Sequence, residues 1–356
     1  MIVSESPGEE EDDAGKLLVG NSSKELARVV SSAGISLHHD CSLTNALICY
    51  PDGKAPERAV EYCRPNLIET VKKERPKVII LLGLAAVESL IPYIWTASES
   101  VGGMEQWVGW TIPSQKLNAW VCPTYHPAYL LRMKSKLLDR TFARNIKAAV
   151  RLEATERPWS DASTMPSESA VQLLYSSKEI TKALTYFSET GHPVAFDYET
   201  NCLKPDNSYA EIVCVGLSNG YKTVAFMLTD IVKPFVKQFL LSPVEKIGHH
   251  TKFEDCWTYR IFGIWPKKVK WCGMNNAHIL DERPGITGLK FQAFVRFGQP
   301  DYSSHIKPYL EGEGSYGKNR IHDAPQKELL TYCGMDALLE YMEYEHQSKE
   351  LMRKLR

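Results

Sequence analysis

No run of apolar residues approaches the ~18 that a membrane-crossing helix needs. No basic stretch followed by a long apolar core stands behind Met1-Ile-Val-Ser-Glu-Ser-Pro-Gly8, which excludes a secretory signal. The nine cysteines, from Cys41 to Cys333, are odd in number and contain no Cys-x-x-Cys pair. That scatter argues against a disulfide scaffold and for reduced thiols, hence a cytoplasmic protein. No internal repeat is visible. Net charge is nearly absent: 42 Lys+Arg against 43 Asp+Glu give −1. The molecule as a whole therefore offers no attraction to nucleic acid, and any binding to phosphates must use local basic patches. What remains is globular: 44% apolar and 24% charged over 356 residues, enough for two domains.

The first 150 or so residues alternate short apolar runs with helical patterns. Runs stand at Met1–Glu5, Thr44–Cys49, Lys77–Leu82 and Ala119–Cys122, with amphipathic segments near 23–34, 57–74 and 84–91. Unalternating strands separated by helices predict a parallel α/β/α sandwich. Ligands of such sheets bind at the strand carboxyl ends. Those ends carry Glu5-Ser-Pro-Gly8, Asn45, Gly83 and His126-Pro127. Residues 154–170 are rich in Ser, Thr and Pro and predict a linker between domains 1–153 and 171–356. The second domain opens with strands at Pro193–Glu199, Glu211–Ser218 and Tyr221–Leu228, the last two joined by the hairpin signal Asn219-Gly220. Helices are predicted over His250–Phe262 and Ala324–Arg356.

In Val194-Ala-Phe-Asp-Tyr-Glu-Thr200 the strand period of two puts Val194, Phe196 and Tyr198 on one face and Asp197 with Glu199 on the other. Adjacent carboxylates repel unless a cation sits between them, and a hard divalent ion with oxygen ligands is the usual resolution. Glu254 and Asp255 lie at a helix start, where acids also suit the helix dipole. Tyr332 and Asp336 are one helical turn apart on a common face.

In this order the three pieces resemble the Exo I, Exo II and Exo III motifs of the DEDD exonucleases. More narrowly, residues 171–356 resemble the tyrosine-type 3′–5′ proofreading domain of family A DNA polymerases, especially phage ones, including the stretch Leu280–Lys290. The resemblance implies a ribonuclease H-like mixed sheet and two-metal phosphodiester hydrolysis with Mg2+ or Mn2+. Asp197, Glu199, Glu254 and Asp336 would hold the ions, and Tyr332 would position the attacking water. At the second motif the family's Asn stands as His250 and its Asp as Glu254. Asp255 competes for that role, but Lys252-Phe253 and Trp257 set the frame that favours Glu254.

The first domain resembles the uracil-DNA glycosylase superfamily, closest to its iron–sulfur (family 4) type. The matching segments are Ser4–Glu11, Gly15–Gly20, Thr44–Pro51, Cys63–Leu67, Pro76–Gly83 and Thr124–Arg132. The resemblance implies that Glu5 positions or activates water, Asn45 reads the edge of a flipped-out uracil and His126 stabilises the departing anion. The family stacks the base on a Phe where this chain has Leu18. Its [4Fe–4S] cluster uses four cysteines, of which only Cys49 and Cys63 have counterparts here. The first pair would precede Met1, so a cluster is not expected. Cys41 and Cys122 read as small buried apolar residues.

Together these features predict a 3′–5′ DNA exonuclease with an appended glycosylase-like domain, acting on single-stranded DNA or 3′ ends, and on uracil-containing DNA, in phage replication. A DNA polymerase is the expected partner, either as a separate subunit or as the continuation of a chain that stops at Arg356. The competing readings are a non-catalytic DNA-binding or replisome module and an RNA exonuclease. Lys252, Arg283 and Lys290 are the expected phosphate contacts.

Overall fold

The computed structural model describes residues 1–356 except 54, 57, 97–100, 162–163, 315 and 356. It divides into two units, Met1–Met165 with Phe294–Asp301, and Pro166–Ala293 with Tyr302–Arg356. Residues 162 and 163 of the expected linker lie outside the described residues.

The first unit contains β1 (Ile2–Ser4), α1 (Glu9–Ala14), α2 (Asn21–Ser31), β2 (Leu43–Asn45), α3 (Ala59–Glu74) and β3 (Val78–Leu82). There follow α4 (Leu84–Ile94), α5 (Met104–Trp107), β4 (Ile112–Ser114), β5 (Ala119–Thr124), α6 (Pro127–Met133) and α7 (Lys136–Arg151). The sheet order is β2-β1-β3-β5-β4. All neighbours are parallel except β4, which runs antiparallel to β5. The expected parallel sheet is therefore mixed at one edge. Ile112-Pro113-Ser114 is short and contains Pro, which only an edge strand tolerates, and it gave no strand signal. Strand β3 is covered on both faces, which is why its sequence is unbroken Val-Ile-Ile-Leu-Leu. Val78, Ile80 and Leu82 pack with Leu26 and Val30 of α2 and Phe142 and Ile146 of α7. The expected run Thr44–Cys49 is a strand only to Asn45. Beyond it, Ala46 and Leu47 still donate to the carbonyls of Ser4 and Glu5, so the chain turns away while anchored to β1.

The second unit contains β6 (Val171–Leu174), α8 (Ser177–Glu189), β7 (Val194–Thr200), β8 (Ile212–Ser218), β9 (Thr223–Met227), α9 (Lys233–Leu241) and β10 (Lys246–Gly248). It continues with α10 (Thr251–Phe262), β11 (Val269–Cys272), α11 (Gly273–Leu280), the first part of α12 (Leu289–Phe297, whose residues from Phe294 on belong to the first unit), α13 (Lys307–Leu310) and α14 (Gln326–Lys354). The order is β11-β10-β7-β8-β9-β6. Strands β7, β8 and β9 form the expected antiparallel meander. Strand β6 precedes it and pairs parallel to β9. It was not foreseen, because a four-residue apolar run beside a Ser/Pro-rich stretch has no periodicity to read. Val194, Phe196 and Tyr198 enter a core with Phe187 of α8, Phe239 of α9 and Trp257 of α10. Asp197 and Glu199 alternate to the other face, where α14 packs along β7 and β8. Contact there is backbone to backbone: a Cβ on Gly216, which pairs with Asp197, would lie 2.4 Å from the carbonyl oxygen of Cys333.

Candidate active sites

In the second unit, β7 supplies Asp197 and Glu199, and α14 supplies Asp336. One carboxylate oxygen from each lies within 4.8 Å of the others, and among the described residues this is the one grouping of three or more such groups close enough to share a metal ion. Burial and the charge of Asp336 push the Asp197 carboxyl up to about 7. Burial and Asp197 raise Glu199 well above the usual carboxylate range. Asp197 Oδ2 has no hydrogen-bond partner. Unpartnered buried carboxylate oxygens of this kind call for a cation.

Glu254 on α10 is buried, and its orphan Oε2 also lacks a donor. Burial and then Asp197 raise it. Its neighbour Asp255 is half-buried and is raised by burial alone. Asp255 Oδ1 is unpartnered too, but of the two only Glu254 is raised by the charge of Asp197, and it stands outside the compact trio.

One ammonium and two hydroxyls complete the site. Lys290 of α12 donates to Tyr332 Oη at 2.6 Å and to Asp336 Oδ2 at 2.9 Å. Burial alone would lower this ammonium, but Asp336 outweighs it and raises it. Tyr302 donates to Asp336 Oδ1, and its ring lies 5.8 Å from that of Tyr332. Of the expected phosphate contacts, Lys290 is thus inside the site, Lys252 is exposed, and Arg283 is paired with Asp281 at 2.6 Å. Tyr302 was missed, since it follows a Gly-Gln-Pro-Asp loop with no motif. Glu340 was also missed, although Tyr332, Asp336 and Glu340 share the i, i+4 spacing. It is 5% exposed, accepts from the backbone N–H of His249 at 3.0 Å and leaves its Oε2 unpartnered. A cleft of about 560 Å3 lined by Glu199, Phe253 and Asn319 opens onto this face.

In the first unit, Glu5, Asn45, His126 and Leu18 line one cavity of about 240 Å3 at the strand carboxyl ends. His126 caps α6: its Nδ1 accepts from the Ala128 N–H at 3.1 Å, so the proton sits on Nε2, which donates to Ser4 Oγ at 2.9 Å. Burial lowers His126, against the opposing pull of Glu5. The imidazole is therefore neutral. Glu11 is held by three backbone amides, Gly8 at 3.1 Å, Val19 at 3.0 Å and Gly20 at 2.7 Å, which fixes the loop carrying Leu18. Gly83 has φ +85°, and a Cβ there would meet Glu5 Oε1 at 2.4 Å. The turn after β3 thus admits only glycine beside the carboxylate.

Cys49 is exposed and Cys63 half-buried, and neither joins a metal-ligand grouping among the described residues. Cys122 is buried as expected and its thiol is pushed up to about 12 by burial, whereas Cys41 is only partly covered. Among the described residues no helix is long and apolar enough to cross a membrane.

Residues 1–151 match the uracil DNA glycosylase superfamily. Over 136 residues the chain is 35% identical to a type-4 uracil-DNA glycosylase of Pyrobaculum aerophilum, covering 37% of this chain and 67% of that protein. Over 156 residues it is 34% identical to a type-4 uracil-DNA glycosylase of Saccharolobus solfataricus, covering 42% and 70%. Among solved structures it is similar to Escherichia coli RNase D, an exoribonuclease involved in structured RNA processing, at 14% identity and a TM-score of 0.41, over 51% of this chain and 44% of that one. Through its first 151 residues the chain belongs to the uracil DNA glycosylase superfamily.

Proposed function

We propose that the second unit is a metal-dependent 3′–5′ DNA exonuclease of the proofreading type. The observation that carries this reading is the gathering of Asp197, Glu199 and Asp336 within 4.8 Å, with an orphan oxygen on Asp197. All-oxygen ligands suit Mg2+ or Mn2+. Asp197, Glu199 and Asp336 would hold the ions, with Glu254 facing Asp197. Bound there, such ions lower the pKa of water and stabilise charge on the entering and leaving oxygens of a phosphodiester. The chain's own groups do the rest. Tyr302 and Lys290 orient the Asp336 carboxylate, and Tyr332 presents a hydroxyl beside it to position the attacking water. The test is degradation of a single-stranded DNA oligonucleotide in Mg2+ by the wild type and by Asp197→Ala. Unchanged degradation by the variant would falsify the reading. A matched RNA oligonucleotide decides the preferred backbone.

A second activity is favoured by the first cavity, which unites Glu5, Asn45 and His126. In this reading Asn45 pairs with the edge of an extruded uracil, the Nε2 proton of His126 leaves Ser4 Oγ for the departing anion, and Glu5 directs water to the sugar carbon. Leu18 supplies contact area without a π-face. Abasic sites formed on uracil-containing DNA in EDTA, in excess over a Glu5→Gln control, are the expected result. Both activities fit DNA replication, with a DNA polymerase as partner, in the cytoplasm of a bacterial host for a phage protein. The resemblance of residues 171–356 to proofreading domains supports that setting. Cross-linking that captures no polymerase counts against it.

A further inference from the structure

A hollow of about 610 Å3 lies at the edge of the first sheet opposite the glycosylase-like cavity. Its lining includes Lys72, Arg75, Lys116, Asn118 and Arg157, and no Asp or Glu. Pro76 leads into β3 and Asn118 into β5, so the hollow sits where these strands begin. The cavity of Glu5, Asn45 and His126 sits where the strands end. The five residues of β3 separate the two edges by ~16 Å.

Three features mark the hollow as built. Its four cations have no carboxylate partner among the described residues, and no acid in its lining offsets their charge. Second, two of these cations are pinned. Arg157 donates to the carbonyls of Arg75 at 2.7 Å, Asn118 at 2.9 Å and Pro76 at 3.3 Å. Lys116 donates to the Tyr93 carbonyl at 2.7 Å and lies 3.8 Å above its ring, and Lys72 reaches the same ring at 5.5 Å. Third, Arg75 and Asn118 both adopt positive φ, 46° and 45°. Arg75 closes α3 and Asn118 closes the turn between β4 and β5, and the guanidinium of Arg157 binds both of their carbonyls. One guanidinium thus ties together the two turns that carry Arg75 and Lys116.

We propose that this hollow binds the phosphates of a single nucleic-acid strand, at a site separate from both candidate active sites. The charge set fits phosphodiesters: a fixed guanidinium at the base, with lysines and a further arginine around it. A neutral chain can hold a polyanion only through such a patch. The superfamily to which residues 1–151 belong acts on DNA, which makes a strand the fitting occupant rather than an acidic protein. The inference does not depend on either activity proposed above, because it concerns binding alone.

The test measures fluorescence anisotropy of a short labelled single-stranded oligonucleotide without uracil, in EDTA, using the full chain. The variant Lys72→Ala/Arg75→Ala/Lys116→Ala spares Arg157, which holds the backbone. Its Kd should rise ~10-fold, and the slope of log K against log salt should fall by ~2, at ~0.7 per lost phosphate contact. The control Lys178→Ala/Lys182→Ala/Lys327→Ala removes equal charge from exposed positions in the second unit. Equal effects of the two triple variants overturn the proposal. Should the first variant fail to fold, acetylation footprinting of the wild type decides. The oligonucleotide should protect Lys72 and Lys116, and unprotected lysines overturn the assignment. Displacement of the oligonucleotide by inorganic tripolyphosphate at equal phosphate concentration would make the hollow a free-polyphosphate site and overturn the strand assignment. Displacement only by an acidic polypeptide would overturn it in favour of a protein partner.

Discussion

Replacing Lys290 by Met should tighten divalent-metal binding while weakening the metal-free protein. The ammonium lies 2.9 Å from Asp336 Oδ2, in the trio whose carboxylates come within 4.8 Å of one another. A divalent ion binding there must share Asp336 with Lys290 or expel it. Two unit charges at about this separation attract by ~4–6 kcal/mol at an effective dielectric of ~20. The Lys290 side chain is 32% exposed, so much of that is screened or offset by hydration once the ammonium is released. A charged hydrogen bond contributes a net ~1.5–3 kcal/mol, which corresponds to ~10–100-fold in an equilibrium constant. Lys290→Met keeps the stem and removes the charge. Calorimetric titration of the DNA-free chain with Mn2+ should give a Kd lower by that factor. The apo melting temperature should fall, because Asp197 and Glu199 lose the cation that lowers them and Asp336 loses its ion-pair partner. Unchanged or weaker Mn2+ binding would refute the competition. An unchanged apo melting temperature would refute the claim that Lys290 offsets the carboxylates.

Four further outcomes follow from the same geometry. Glu254→Gln should weaken Mn2+ binding ~10-fold or more while Asp255→Asn leaves it within error, since only Glu254 is raised by the charge of Asp197; the reverse order in calorimetry sinks that assignment. Asp197 is raised to about 7, so protons compete with metal: Mn2+ affinity should rise with pH up to about 7 and then level off, and a flat profile over pH 5–8 contradicts the shift. Gly83→Ala places a Cβ 2.4 Å from Glu5 Oε1 at φ +85° and should cost ~1–3 kcal/mol in denaturant unfolding together with most uracil excision; full excision would mean that Glu5 is not needed where it stands. His126 is lowered from 6.5 by burial, so the folded chain binds fewer protons there than the unfolded one. Stability from this group is complete above 6.5 and is lost as pH falls below it, and His126→Gln should flatten that acid slope in urea midpoints.

Some of this was readable from local sequence and some was not, for a physical reason. Strand β3 is buried on both faces, so five apolar residues in a row announced it. The pairing of Asp197 with Glu199 on one face follows from strand geometry alone, and so does their separation from Phe196 and Tyr198. The meeting of Glu5, Asn45 and His126 in one cavity was legible once the sheet was read as parallel, because parallel strands carry their carboxyl ends to one edge. Strands β4 and β6 were illegible: three and four residues, one with a Pro and one beside a Ser-rich stretch, hold at most two periods of a strand pattern. Lys290 was named as a phosphate contact, but its bond to Asp336 joins residues 46 apart in sequence and no local rule encodes it. Tyr302 reaches the same carboxylate across 34 residues. Glu340 was the exception, readable one helical turn beyond Asp336 but lacking a motif to draw attention to it.

The near-zero net charge hides two opposite solutions to burying carboxylates. In the first unit Glu11 is partly buried and needs no cation, because Gly8, Val19 and Gly20 point three amides at it. Backbone donors do not dissociate, so that loop is fixed whatever is bound. In the second unit Asp197, Glu254 and Glu340 each keep an oxygen with no donor at all, and the carboxylate to which Lys290 donates is that of Asp336. Such an arrangement is unstable on its own by the ordinary cost of unpaired buried charge, and it is tolerable only if protons or metal ions complete it. The two cases predict different responses to one reagent. EDTA should leave the melting behaviour of the first unit unchanged and lower that of the second, so a chain melted with and without Mn2+ should show a metal-dependent shift that Asp197→Asn abolishes and Glu11→Gln does not. No shift in the wild type would mean that the carboxylates of the second unit are neutralised by protons alone, and equal shifts in both variants would mean that the metal binds without Asp197.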